Sequence, residues 1–334
     1  MRILFFLKGS REQASSKVRG FYVADELRKL GVHCDIVYGK ARYLAAPFKL
    51  LANDIIFFHR CYFGIDIVLN RALRKLGKKT VFDIDDHPAG VILSGRKKKN
   101  ATAMIRECSA ATMGSHALLE FAKKCNENAH LIPSPIAVPY YRPESARRES
   151  DHIVLGWVGH GKNYKKDLWM LLGPMERLGR KFKIKLIIAG ALKQKEIYEN
   201  FGRIKNIEVE FIDWIDSKDP SAVGAVISRF DIGLYPLLDR EYNLYKCSSK
   251  GLEYMAMEKP FVASPVGENS YAFSDGEDGF FARTEDEWED RLSRLIEDPS
   301  LRQSMGKKGR AKVETGYSTE MWAKELKKIF ESLV

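Results

Sequence analysis

The chain has 334 residues, of which 45% are hydrophobic and 30% charged, with a formal net charge of +11. That composition is normal for a soluble globular protein with a real core and excludes a disordered chain, while the length suits two domains. No apolar run is long enough to span a bilayer, and the short apolar segment of MRILFFLKGS lacks a cleavage site, which excludes a signal peptide and leaves a first core strand.

Residues 1–130 alternate short apolar runs with amphipathic ones. Strands are predicted at Ile3–Leu7, His33–Tyr38, Asp54–His59, Thr80–Asp83, Ala111–Gly114 and His130–Ile132. Helices are predicted at Val18–Leu30, stopped by Gly31, and at Asp66–Leu76, stopped by Gly77. Strands separated by helices of this length imply βαβ units and a doubly wound parallel sheet. Ligands of such sheets bind beyond the carboxyl ends of the strands. The candidates there are Gly9 and Ser10, His59 and Arg60, Asp85 to His87, and Gly114 to His116.

Pro133, Pro135, Pro139 and Pro143 crowd a polar stretch that ends near Asp151 and reads as a domain boundary. A second alternation follows, with strands at Ile153–Val158, Ile184–Ala189, Ile207–Phe211, Asp231–Tyr235 and Phe261–Ala263. Helices are predicted at Asp167–Leu178, near Lys193–Phe201 and near Ala222–Phe230, and the chain is helical from Glu285 to its end. The boundaries drawn are 1–145, 146–316 and a final helix at 317–334.

The stretch from Tyr235 to Gly267 carries the densest chemistry. Lys246 and Lys250 bracket Cys247, Ser248 and Ser249, and either serine can cap a helix that carries Glu253. A helix amino terminus beside two lysines is an anion site, because its N–H groups and dipole favour negative charge. Taken singly, each of these lysines is more often a solvated surface group. Gly159-His160-Gly-Lys162 and Lys165-Lys166 follow another strand and bring cations to the same edge, an arrangement suited to a diphosphate. In the first half, Lys17 and Arg19 sit at the start of the first helix, where a phosphate or sugar can bind. The glycine spacing there is not that of a dinucleotide fingerprint, and no Walker pattern occurs. Asp83, Asp85, Asp86 and His87 could hold a divalent metal or hydrogen-bond within their loop, and His116 could be catalytic or a cap.

The charge is uneven. Residues 1–150 hold 26 basic and 14 acidic residues, and the remainder holds 29 and 30. An anionic partner of the first half follows as an expectation, either a membrane surface or nucleic acid, and Arg96–Lys99 is its most cationic run. Nucleic acid ranks low because few aromatics interleave with that run. The five cysteines are scattered, odd in number and without metal spacing, which points to reduced thiols in the cytoplasm.

Several segments resemble glycosyltransferase family 4, the retaining, nucleotide-sugar-dependent enzymes of the GT-B fold. They are ASSKVRGFYVADELRKLG from Ala14, FDIDD from Phe82, DIGLYPLLD with KCSSKGLEYMAMEKPFVASPVG, and the tail DPSLRQSMGKKGRAKVETGYS. The resemblance implies two Rossmann-like domains facing across a cleft, the first for the acceptor and the second for the donor, with the C-terminal helix crossing back to the first. Glu253 matches the second glutamate of the EX7E motif, a ribose ligand, and Tyr245 stands at the first. Lys246 and Lys250 match the KxxxK variant and are implied diphosphate ligands. An arginine–lysine pair of the family falls on His160 and on Lys165 or Lys166. His116 matches the histidine near the reacting carbon.

The implied site is therefore His116 and Lys250 for catalysis, with Gly159, His160, Lys165, Lys166, Lys246, Ser249, Lys250 and Glu253 for the donor. Gly9, Ser10, Arg19, His59 and Asp86 fall to the acceptor. No metal or cofactor is implied beyond the donor substrate, since lysines and a helix terminus can neutralise the leaving diphosphate. The implied function is sugar transfer to a glycan or glycolipid in bacterial-type cell-surface polysaccharide synthesis, in the cytoplasm or on the inner face of the membrane. A nucleotide-sugar epimerase and a non-catalytic carbohydrate- or lipid-binding relative are the alternatives.

Overall fold

The computed structural model describes residues 1–45, 47–86, 95–143 and 152–334. They form two compact units. One comprises Met1–Ala137, Leu244–Cys247 and Tyr317–Val334, the other Val138–Asn243 and Ser248–Gly316. The boundary expected at 145/146 lies outside the described residues, and the chain passes between the units at 137/138. His87 also lies outside them.

The first unit begins with β1 (Arg2–Leu7) and a helical run of α1 (Ala14–Ser16), a π-helical turn at Lys17–Tyr22, and α2 (Val23–Lys29). There follow β2 (His33–Tyr38), α3 (Arg42–Ala45), α4 (Pro47–Ala52), β3 (Ile55–His59), α5 (Gly64–Lys75), β4 (Lys79–Ile84), α6 (Gly95–Glu107), β5 (Ala110–Met113), α7 (His116–Lys123) and β6 (Ala129–Leu131). The strands are parallel in the order β2-β1-β3-β4-β5-β6. Alternate residues of β1 explain its unbroken apolar sequence. Leu4 and Phe6 enter the core on one face, and Ile3, Phe5 and Leu7 enter the core on the other. A strand covered on both faces cannot alternate polar and apolar residues.

The second unit contains β7 (Ile153–Val158), α8 (Gly161–Leu168), α9 (Leu172–Lys181), β8 (Ile184–Ala189), α10 (Lys195–Gly202), β9 (Glu208–Ile212), α11 (Ala222–Ser228) and β10 (Ile232–Tyr235). It continues through α12 (Glu241–Leu244), α13 (Ser249–Ala256), β11 (Phe261–Ala263), α14 (Asn269–Ala272), β12 (Phe280–Phe281), α15 (Glu285–Glu297) and α16 (Pro299–Gly316). Its parallel sheet runs β12-β11-β10-β7-β8-β9. Strand order reverses between β7 and β10, as it does between β1 and β3 in the first sheet. Such reversals part the flanking loops and open the crevice where ligands bind.

The last helix, α17 (Thr319–Glu331), belongs to the first unit. Ser318 caps it by accepting from the Met321 amide. Its buried face, Ala323, Leu326 and Phe330, joins the core that contains Ile3, Phe5 and Leu7. Phe330 meets Phe57 edge-on, with ring centroids 5.9 Å apart. Phe330→Ala is expected to destabilise the first unit by about 3–5 kcal/mol, the usual range for deleting a buried aromatic ring. Urea denaturation of the full chain measures it.

Candidate functional site

The loops at the second unit's strand reversal follow β7 and β10. After β7 come Gly159 and His160, and α8 starts at once, with His160 as its N-cap. Gly159 and His160 form the turn, and Gly161 to Lys166, which precede the helix predicted from Asp167, already lie in α8. Asp167 is fully buried. It accepts from the Leu238 amide at 2.9 Å, from Asn243 Nδ2 at 2.8 Å and from Arg240 Nη2 at 2.8 Å. One carboxylate thus fixes the loop that follows β10.

That loop leads to α13. Neither serine caps it by side chain. Ser248 takes the N-cap position in the left-handed region at φ 55°. Its hydroxyl donates instead to Asn269 Oδ1 at 2.7 Å, and Asn269 Nδ2 donates to the Ser264 carbonyl at 2.9 Å. The serine cap expected from sequence is therefore replaced by a polar tie to α14, and the first turn of α13, from Ser249, has no side-chain cap.

Lys250 lies in that first turn and is buried. Its ammonium sits 3.7 Å from the centroid of the Tyr164 ring and 5.3 Å from that of Tyr235. Two aromatic faces stabilise a cation without cancelling its charge. Gly159 makes room for it, because a Cβ there would come within 2.7 Å of Lys250 Cε and 2.5 Å of the Trp157 ring. One turn on, Glu253 accepts a hydrogen bond from the Tyr141 hydroxyl at 3.1 Å. Burial pushes the Glu253 carboxyl up to about 7, against the opposing pull of Lys250 and of Tyr141.

The remaining donor-side candidates are dispersed. Lys165 pairs with Glu196 on α10, and Lys166 is exposed. Lys246 groups with the first unit, where it is buried with its ammonium 3.7 Å from Asp86. Its neighbour Tyr245 packs against the first unit's core, and Leu244–Cys247 as a whole belong to that unit. The expected bracket of Lys246 and Lys250 is thus divided between the units. Tyr245, where the motif has a glutamate, is a packing residue.

In the first unit the carboxyl ends of β1, β3, β4 and β5 gather a buried polar network around Asp83. Arg19 clasps it with Nε 3.0 Å from Oδ2 and Nη2 2.5 Å from Oδ1, and Thr112 donates to Oδ1 at 2.6 Å. His59 Nδ1 lies 2.6 Å from Oδ2, and its Nε2 lies 2.9 Å from the Ser15 hydroxyl. Ser15 donates onward to Asp85 Oδ2 at 2.5 Å. Burial alone would raise the Asp83 carboxyl, but Arg19 and His59 hold it well below the ordinary carboxylate range. Asp85 is lowered too, with burial opposed chiefly by Arg60, whose Nη1 lies 3.7 Å away.

Arg19, expected among the acceptor contacts, has another task. It is buried, and its guanidinium is committed to Asp83 and to the Ile132 carbonyl at 2.6 Å. The π-helical turn that carries it was not visible in sequence. Gly9 is buried beside Gln13 and Ser16, and Ser10 accepts from the Gln13 amide at 3.1 Å. Gly114 abuts the Asp85 backbone, leaving no space for a Cβ. His116 opens α7 just after its cap, Ser115. Asp167, Tyr164 and Tyr235 have no assigned role in any motif of the sequence, and Asp83, expected with Asp85, Asp86 and His87 as a metal or loop carboxylate, is instead the centre of a buried network. An aspartate inside the apolar run Val81–Ile84 was the available signal, since a buried acid needs partners.

Residues 152–298 match the family model described as glycosyl transferases group 1. No curated protein sequence matches the chain. Anabaena HepE in complex with UDP and glucose shares the fold, with a TM-score of 0.71 at 13% identity over 99% of this chain and 100% of that one. Sucrose-phosphate synthase from Thermosynechococcus elongatus gives 0.74 at 13% identity over 100% and 99%. A glycosyltransferase from Rickettsia africae gives 0.72 at 12% identity over 99% and 98%. The architecture is therefore that of the GT-B proteins, in agreement with the sequence resemblance, and the matched residues make up most of the second unit.

Two consequences are measurable. Asp83→Asn leaves the buried Arg19 charge uncompensated and is expected to cost about 3–5 kcal/mol in urea denaturation. For Glu253 the folded value of about 7 lies above the ordinary 4.5, so folding takes up a proton between them. Stability from this group is present at low pH and declines as pH rises from 4.5 to about 7. Glu253→Gln is expected to flatten that slope and to be more stable than the parent in mildly alkaline buffer by about 1–3 kcal/mol.

Proposed function

We propose that this chain, with its group 1 glycosyl transferase domain at residues 152–298, is a nucleotide-sugar-dependent glycosyltransferase that retains anomeric configuration. The observation that carries the reading is the start of α13. An uncapped helix amino terminus and a lysine held by two aromatic rings lie at the strand reversal of the matched domain. The diphosphate is the leaving group, and its charge grows as the glycosidic bond to phosphate breaks. Lys250 and the α13 amides are pre-oriented donors for that charge, and pre-orientation in a site shielded from water lowers the barrier most. Glu253 serves the ribose hydroxyls, and Ser249 and Gly159 border the phosphates. The reaction needs no metal in this scheme.

His116 is assigned to catalysis beside the reacting carbon, and Gly9, Ser10, His59 and Asp86 to the acceptor side. The Asp83 network holds His59 and Asp85 in place there. The acceptor is a glycan or glycolipid of cell-surface polysaccharide synthesis, met at the inner face of the membrane. The HepE structure contains UDP, which makes uridine diphosphate the first nucleotide to test. A thermal-shift screen of UDP, GDP, CDP, ADP and dTDP with their sugars is expected to give one nucleotide that raises the melting temperature. Lys250→Ala and Glu253→Ala are expected to weaken that ligand by roughly tenfold or more, each lost contact being worth about 1.4 kcal/mol or above. Turnover that survives both substitutions unchanged overturns the site. Conversion of the donor without any acceptor assigns the protein to epimerases instead, and binding without turnover assigns it to carbohydrate-binding relatives.

A further inference from the structure

One surface of the first unit breaks the rule that large apolar side chains are buried. Leu44, Phe48 and Leu51 follow one another at helical spacings along α3 and α4 and are 86%, 89% and 58% exposed. The neighbouring α5 adds Ile65 and Val68, exposed by 56% and 64%. The two regions adjoin at both ends. The Tyr43 hydroxyl donates to Asp66 Oδ1 at 2.6 Å, and Lys78 Nζ donates to the Leu51 carbonyl at 2.6 Å. The underside is firmly seated, with Leu50 in the core and the buried Arg42 guanidinium donating to the Gly39 carbonyl and the Tyr43 hydroxyl. The exposed residues are therefore held outward by a fixed scaffold.

The charge on the elements that carry them is mainly positive. Residues 38–52 contain Lys40, Arg42 and Lys49 and no acid. Residues 63–79 contain Arg71, Arg74, Lys75, Lys78 and Lys79, and their one acid, Asp66, is buried. Lys49 and Arg71 are paired, with Asp35 and Glu107, while Lys40 and Lys75 are exposed. Arg71 and Glu107 also join this surface to α6, which carries the cationic run Arg96–Lys99. Apolar side chains ringed by cations on short surface helices match a bilayer interface that carries anionic lipid. The apolar groups enter the acyl boundary and the cations meet the headgroups.

We infer that α3, α4 and the exposed face of α5 form the docking surface of this protein on an anionic membrane, with Leu44, Phe48 and Leu51 as the inserting residues. The inference rests on the reading that the acceptor lies at a membrane, and it is tested without any sugar, so the two can fail separately.

The experiment is co-sedimentation of the full chain with phosphatidylcholine vesicles made with and without phosphatidylglycerol. Binding is expected only where phosphatidylglycerol is present and is expected to weaken as salt is raised. Leu44→Ser with Phe48→Ser is expected to lower partitioning by roughly tenfold or more, and Lys40→Glu with Lys75→Glu by roughly tenfold. Unchanged circular-dichroism melting shows that these surface variants remain folded, and Val334→Ser serves as an exposed apolar control that leaves binding intact. Binding to neither vesicle, or binding indifferent to the Leu44/Phe48 pair, overturns the inference. A concentration-dependent dimer in sedimentation velocity that Phe48→Ser abolishes also overturns it, by assigning the face to a second copy.

Discussion

A parallel sheet has to be covered on both faces, and this constraint governs both units. It makes the strands apolar throughout, as in Ile3–Leu7, and sends the intervening helices to alternate sides. Polar chemistry is then confined to the strand ends, because the strand interiors have no room for it. At the carboxyl ends the loops part where the strand order reverses, between β1 and β3 and between β7 and β10. His59 and Arg60 lie at one reversal, Gly159 and His160 at the other. Topology thus determines where a site can be, before any side chain is considered.

The two units then handle charge in opposite ways. Around Asp83, acid and cation are matched, with Arg19, Thr112 and His59 satisfying one buried carboxylate. Buried networks of this kind hold a shape and tolerate little loss, since any member removed leaves another unsatisfied. At α13, the Lys250 ammonium lies against the faces of Tyr164 and Tyr235, with Glu253 one turn further along the helix. The first arrangement fixes its members through paired charges, and the second holds a cation against aromatic rings. The raised Glu253 carboxyl belongs to the same setting, because burial that favours its neutral form also limits how far it offsets the lysine.

The cationic surplus of the first half acquires a use when it is seen with the apolar residues of α3, α4 and α5. Charge alone offered membrane or nucleic acid. Leu44, Phe48 and Leu51, held outward by Arg42 and Leu50 beneath them, favour a lipid interface.

Much of the fold was legible in the sequence because it depends on patterns that repeat every few residues. Apolar runs of strand length, glycine stops and the final helices reported a doubly wound chain, and the helix that begins beside Ser248 and carries Lys250 and Glu253 followed from residue types at its start. The C-terminal helix showed an amphipathic face in its own residues, while its partner, the first unit, was implied only by the family resemblance. Other features depend on residues far apart in the chain. Asp83 meets Arg19 across 64 positions, and Asp167 meets Asn243 across 76. Tyr245 reads locally as a defective motif position, yet it packs against the first unit's core, and Lys246 beside it lies 3.7 Å from Asp86 of that unit. Ser248 reads locally as a cap, yet Asn269 takes its hydroxyl. Local pattern determines which elements form and which residue types stand at their ends. Tertiary structure alone decided which of those residues are buried and which are paired, because burial and pairing depend on neighbours that sequence spacing does not encode.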